Sequence, residues 1–310
     1  MKIKAYITHK LEENNSDCQD YFRINSEKRK IAISDGVSQS IFSAKWAQLL
    51  VTEYTDSDIM DISGELPRLQ EKWLKFAQAE LASLEKTGES TWMLENCLIE
   101  RQGAAATFCG IKIDRDGKWT GYALGDSCLL EVAEDNKILN IYPAVQNGFG
   151  NSPDYFDSFT EGKGNISEIS GKITLNQKLV LVTDPFGELL FNKKREGTEQ
   201  NYVSKLLAVE SYNDFLALVD SFRTVEKMHN DDSTLVIIEN DGNESFDVEE
   251  MRLESLLAND KMQLQSTIYA NEKELSEYAN NIKPPKCCRR CKHKNNLLKM
   301  FRAYLKKYHM

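Results

Sequence analysis

Residues 30–40 read Lys-Ile-Ala-Ile-Ser-Asp-Gly-Val-Ser-Gln-Ser. A short apolar run, Lys30–Ser34, ends on a carboxylate, and Asp35-Gly36 is turn chemistry because both residues tolerate a tight reversal of the backbone. One acid at a strand end means no more than that turn. Recurrence would mean more, and the pattern does recur. Asp126 follows the run Trp119–Leu124 after one glycine, and Asp184 follows Lys178–Thr183. Asp20 and Asp231 mirror this by coming just before runs, at Tyr21–Ile24 and at Ser233–Ile238. In antiparallel neighbours the end of one strand lies beside the start of the next, so five such acids can gather on one edge of a sheet sandwich.

Working outward, period-two and short apolar runs predict strands at Ile3–Thr8, Tyr21–Asn25, Lys30–Ser34, Ala104–Ile113, Trp119–Leu124, Cys128–Ala133, Lys137–Tyr142, Gly171–Leu175, Lys178–Thr183 and Thr234–Glu239. Helical spacing of apolar residues predicts helices over Ser40–Tyr54, Leu66–Leu84, Phe186–Asn192, Asn201–Ala208 and Tyr212–Phe222. Neighbouring strands with short connections, and helix pairs set between groups of strands, point to an α+β fold of packed antiparallel sheets with helices outside. Gly148–Asn165 reads as a polar, Gly-rich loop or flap. The first 241 residues form one candidate domain. Residues 242–283 read as a polar helical extension and residues 284–310 as a basic, Cys-containing tail.

Five clustered carboxylates would repel, and no nearby cation compensates, because Lys28, Arg29 and Lys30 belong to the far end of the strand that reaches Asp35. Divalent cations resolve the conflict, and an all-oxygen set favours magnesium, manganese or calcium over zinc. Two cations sharing a carboxylate can bind a phosphate and lower the pKa of a water between them. Five unrelated turn acids are the other reading of the spacing.

Four ordered blocks resemble the metal-dependent protein phosphatase 2C family, in its bacterial-type branch. They are Cys18–Phe22 with Ile33–Ser40, Gly103–Ile113 leading to Tyr122–Val132, Leu179–Leu190, and Asn230–Glu239. The resemblance spans residues 1–240. It implies a layered α-β-β-α sandwich of two antiparallel sheets flanked by helices. It further implies that Asp35 bridges two Mg2+ or Mn2+ ions with the Gly36 carbonyl on one, that Asp184 and Asp231 ligate the other, and that Asp126 helps hold a weaker third ion. By the same resemblance Asp20 would be a supporting acid that orients metal-bound water, and Gln19 stands where many members carry Glu. The implied reaction is in-line attack of that water on phosphoserine or phosphothreonine of a protein, with no phosphoenzyme, opposing a Ser/Thr kinase. Val37 occupies a position where some members have a general-acid His, and Asn15 one where some have an Arg phosphate clamp. Lys10, Lys45 and Arg101 are the candidate substitutes for that clamp. Two other functions remain open at this stage: a phosphatase-like binding module with a weakened metal site, and a two-metal phosphodiesterase or nuclease.

The 310-residue chain is 41% hydrophobic and 28% charged, with a net charge of −9. Residues 283–310 hold ten Lys or Arg and no acid, so residues 1–282 hold 29 basic against 48 acidic side chains. An acidic body argues against nucleic acid as partner. The basic tail, with Leu298, Phe301, Tyr304, Leu305 and Tyr308 on one face, suits an acidic partner or an anionic membrane surface. No apolar run reaches the ~20 residues of a membrane span, and the N-terminus lacks a secretory apolar core, so a cytoplasmic location is expected. Seven cysteines, an odd number, read as free thiols. Cys109 and Arg115 have the Cys-x5-Arg spacing of cysteine phosphatases, but the strand over Ala104–Ile113 is the wrong setting for an activated thiolate. Cys287, Cys288, Cys291 and His293 are spaced too tightly for a zinc knuckle. His229 reads as a plain loop residue ahead of a touch on substrate or outer-shell water, and His9 lies in the N-terminal strand region where it could face the site mouth.

Overall fold

The computed structural model of the protein describes residues 1–88, 90–144, 149 and 153–250. Thirteen strands and six α-helices are ordered along this part of the chain. The strands are β1 (Lys2–Thr8), β2 (Tyr21–Asn25), β3 (Lys30–Ser34), β4 (Ala105–Ala106), β5 (Phe108–Ile113), β6 (Lys118–Leu124), β7 (Cys128–Val132), β8 (Ile138–Tyr142), β9 (Phe156–Asp157), β10 (Ser167–Lys172), β11 (Lys178–Val182), β12 (Ser233–Glu239) and β13 (Asp247–Glu250). The helices are α1 (Ser43–Asp56), α2 (Leu66–Thr87), α3 (Trp92–Ile99), α4 (Asp184–Glu196), α5 (Glu199–Leu207) and α6 (Tyr212–Thr224).

Two sheets carry the fold. One runs β13-β1-β12-β11-β7-β8 and the other β10-β6-β5-β3-β2. Every pairing is antiparallel except that of β1 with β13. Alternation along the strands explains the layering. In β11, Leu179 and Leu181 face the core between the sheets, while Val180 and Val182 face α4–α6. In β12, Val236 and Ile238 face the other sheet, and Leu235 and Ile237 face the helices. In β3, Ile31 and Ile33 point into the sandwich, and Ala32 packs with Trp46, Leu50 and Trp73 of α1 and α2. The layers are therefore α-β-β-α. Both faces of each central strand are covered, which is why these strands are near-continuous apolar runs although antiparallel. Each fully buried Ile or Leu contributes roughly 1.5–3 kcal/mol by area.

Several boundaries differ from the sequence reading. Ala104–Ile113 is two strands, since Thr107 leaves the ladder to bond the Asp35 backbone. The predicted Gly171–Leu175 strand lies earlier, as β10, where its antiparallel register with β6 places it. Helix α3 is an element the apolar spacing did not indicate; none of its residues is buried. Within the predicted flap, Phe156–Asp157 pairs with Ala105–Ala106 and Phe156 is buried; residues 145–148 and 150–152 lie outside the described part. Asp247–Glu250, read as helix, is a strand, because the open edge of β1 offers backbone partners that polar side chains do not block. The rest of the helical extension and the tail, including Cys287, Cys288, Cys291 and the amphipathic face at 295–308, lies outside the described residues. Among the described residues no helix is long and apolar enough to cross a membrane.

Candidate metal centre

Strand register brings the acids together. Tyr21 pairs with Ser34, so Asp20 and Asp35 stand opposite each other just beyond the β2–β3 ladder. Ile33 pairs with Cys109, and the next contact is reciprocal: Thr107 N–H donates to the Asp35 carbonyl at 2.9 Å, and Asp35 N–H donates to Thr107 Oγ1 at 3.2 Å. Phe108 pairs with Leu124, which carries Asp126 to the same edge; Thr107 Oγ1 and Ser127 Oγ lie 2.6 Å apart. Gly125 has φ +91° there, and a Cβ on it would lie 2.4 Å from the Asp154 carbonyl. In the other sheet, Val182 pairs with Leu235, which sets Asp184 at the first turn of α4 beside the loop ending at Ser233. A carboxylate there faces the positive end of the helix.

Asp20 joins the two sheets. Its Oδ2 accepts from Thr183 Oγ1 at 2.9 Å and from Thr234 Oγ1 at 2.7 Å, and it is 1% exposed. Asp232, also buried, closes the same seam. Its Oδ2 accepts Gln19 N–H at 2.6 Å and its Oδ1 accepts Lys10 N–H at 2.9 Å. Arg223 of α6 donates to the carbonyls of His9 and Asp231 and to Ser233 Oγ. The loop that carries Asp231 is therefore pinned to the body.

Burial pushes the Asp35 carboxyl up to about 8, helped by the charges of Asp126 and Asp231. Burial, then Asp35, Asp126 and Asp231, takes Asp184 to about 9. Burial, with Asp231 and Glu188 beyond it, takes Asp126 to about 6. Asp20 is raised well above the carboxylate range by burial and by Asp35 and Asp232, against the opposing Thr234 hydrogen bond. These mutual repulsions place all the predicted acids in one field. Three buried oxygens, Asp20 Oδ1, Asp126 Oδ1 and Gln19 Oε1, receive no donor. A site rich in acceptors and short of donors fits divalent cations. Asp184, His229 and Asp231 each offer one ligand atom, and these atoms lie within 4.8 Å of one another.

Gly36 is buried where a Cβ would lie 2.8 Å from the Gln19 carbonyl and 2.9 Å from Ser43, so only glycine fits. Lys10 alone of the three candidate clamps reaches the cluster: its Nζ is 3.7 Å from Asp231 Oδ1, 3.3 Å from Glu13 and 3.4 Å from Ser38 Oγ. Lys45 is engaged by Gln48 and lies over Phe76, and Arg101 is held by the Phe159 carbonyl and ring. His9 Nδ1 is 2.8 Å from the Lys10 carbonyl. Cys109 is buried in β5 with its thiol driven up by desolvation, so it is no nucleophile. The four described cysteines are free; Cys97 is half-buried and the other three are buried. Sequence reasoning passed over Asp232, Thr183, Thr234 and Arg223. Asp232 sits next to a predicted ligand, and only its burial separates the two roles. Arg223, near the end of a helix, has no mark in the sequence that distinguishes it from a surface cation.

No family model and no curated protein matches the chain. Among solved structures, it is similar to the photosystem II phosphatase PBCP, at 13% identity and TM-score 0.51 over 76% of this chain and 96% of that one. It also matches the Mycobacterium tuberculosis serine/threonine phosphatase PstP/Ppp, at 14% identity and TM-score 0.45 over 77% and 98%. A further match is the catalytic domain of PstP in complex with two manganese ions, at 13% identity and TM-score 0.45 over 76% and 96%. At these identities the likeness is one of architecture, and the described residues carry the two-sheet α-β-β-α fold of a protein phosphatase 2C-type domain.

Proposed function

We propose that the chain is a metal-dependent protein phosphatase that hydrolyses phosphoserine and phosphothreonine in phosphoproteins, opposite a Ser/Thr kinase. One observation carries this reading: acids from both sheets converge on one edge with buried oxygens that no protein donor satisfies. The likeness of fold to a solved phosphatase supports it. Asp35, Asp184, Asp231 and Asp126, with the backbone of Gly36, would hold two or three Mg2+ or Mn2+ ions. Bound there, such ions supply Lewis acidity toward the phosphate and acidify a water for attack. The residues do the rest. Asp20, fixed by Thr183 and Thr234, keeps one oxygen free to accept a proton or hydrogen bond at the cluster. Lys10 places a cation at the rim for a phosphate oxygen, and Glu13 and Asp231 hold its charge. Asp232 and Arg223 position the two loops that bear Gln19 and Asp231. A cytoplasmic location suits a phosphoprotein substrate and the free thiols.

The test is manganese-dependent release of p-nitrophenol from p-nitrophenyl phosphate, followed by phosphate release from a phosphothreonine peptide. Wild type is active with Mn2+ or Mg2+ and inactive in chelator. Asp35→Asn folds, by circular dichroism, and loses at least about 10³-fold in kcat, on the scale of losing a principal electrostatic group. A wild type without metal-dependent turnover overturns the assignment.

A further inference from the structure

We propose that His229 is a metal ligand alongside Asp184 and Asp231, and that its nitrogen makes this end of the site prefer a divalent transition ion, manganese included, over magnesium. The inference rests on the metal-dependent reading above but concerns which ion the chain selects. The ligand atoms of these three side chains lie within 4.8 Å of one another. An ion about 2.1 Å from each donor spans at most about 4.2 Å between opposite donors, so closing by about half an ångström completes the set. A loop histidine ordinarily faces water, and His229 is exposed. Its backbone, however, is fixed on both sides. Met228 is buried and its N–H donates to the Phe222 carbonyl at 3.0 Å. Asn230 Oδ1 accepts Leu11 N–H at 2.9 Å, and Arg223 holds the Asp231 carbonyl at 2.6 Å. The imidazole has no hydrogen-bond partner among the described residues.

A second observation points to a cation independently of the histidine. Asp20, 1% exposed, and Asp126 each keep a buried carboxyl oxygen without a donor; the charge of Asp184 bears on Asp20, and that of Asp126 bears on Asp184. The acceptors ask for positive charge, and His229 decides its kind. Magnesium takes oxygen almost exclusively, whereas an imidazole is a better ligand for a first-row transition ion than for magnesium, most of all for the later ions of the row. Two carboxylates plus one imidazole, with the remaining positions open to water or phosphate, therefore discriminate where an all-carboxylate set would not.

The experiment uses the full chain loaded with Mn2+ and reads nitrogen coupling to the metal by electron spin echo envelope modulation, with Mn2+ and Mg2+ affinities from calorimetry. Wild type is expected to show the modulation of a coordinated imidazole. His229→Ala is expected to lose it and to bind Mn2+ at least about tenfold more weakly, the lower end of what losing a supporting partner costs a metal site, with Mg2+ affinity unchanged. His9→Ala is expected to keep the modulation. Mn2+ binding without imidazole modulation, or modulation that survives in His229→Ala, overturns the histidine assignment and leaves the metal reading standing. Absence of any divalent binding by wild type overturns both.

Discussion

Asp20, Asp231 and Asp232 show how identical side chains take different work. Asp232 spends both oxygens on backbone N–H groups, so it shapes the Gln19 and Lys10 turns. Asp20 spends one oxygen on two threonines and keeps the other. Asp231 receives its neighbour's N–H at 2.9 Å and remains part of the open cluster. Arg223 is the counterpart on the cationic side: its guanidinium reaches two carbonyls and a hydroxyl at once, in a rigid planar geometry that a lysine ammonium does not reproduce. Arg223→Lys is expected to destabilise the protein by about 1–3 kcal/mol through carbonyls left unsatisfied, read as a lower urea midpoint. It should also weaken Mn2+ binding, because the Asp231 loop loses its tie. Unchanged Mn2+ affinity in a folded variant would show that the tie is structural alone.

Each strand that feeds the site is held by packing on two faces, and its end is where the packing stops. β3 is buried throughout and delivers Asp35 at its C-terminal end; β5, its neighbour, turns away there through Thr107. α4 begins on Asp184 itself, with Pro185 in its first turn, so the direction of this carboxylate is set by the helix start. α3 contrasts with these elements. Trp92 is 70% and Ile99 77% exposed, and no site residue depends on it. The expected outcome is an opposed pair. Ile111→Ala, in the core between the sheets, costs about 2–5 kcal/mol. Ile99→Ser stays within about 0.5 kcal/mol of wild type. Chemical denaturation of the two variants measures both.

Across the whole of residues 1–250 the acid cluster works against the fold. The sandwich core brings together carboxyls that ionise near pH 3.8 when free but near 6, 8 and 9 at Asp126, Asp35 and Asp184. Between those values the unfolded chain holds fewer protons than the folded one, so the stability that these three carboxyls contribute to the metal-free protein is fully present below about pH 4 and is lost as pH rises through the folded values, toward 9. The metal-free melting temperature is therefore expected to fall by about 5 °C or more between pH 6 and 9, equivalent to at least ~2 kcal/mol at the midpoint. Added Mn2+ should raise it most at the alkaline end, where the ligands are ionised and binding competes with no proton. Thermal melts in chelator and in Mn2+ across that range check both signs; a metal-free melting temperature that rises with pH would contradict the burial of the cluster.

The apolar runs at Lys30–Ser34, Lys178–Thr183 and Thr234–Glu239, and the acids at their ends, were readable along the chain because strand alternation and turn chemistry are local. From them came the layered architecture and the acids from Asp20 to Asp231 as candidates. Partnership across the sheets was not readable. That Asp20 is gripped by Thr183 and Thr234, that Asp232 serves backbone amides, that β13 joins β1 where helix was expected, and that Arg223 ties the Asp231 loop all depend on contacts between residues far apart in the chain. Burial, which turns an ordinary aspartate into a proton-holding or cation-demanding one, is a property of what packs around a side chain and has no expression in its immediate neighbours.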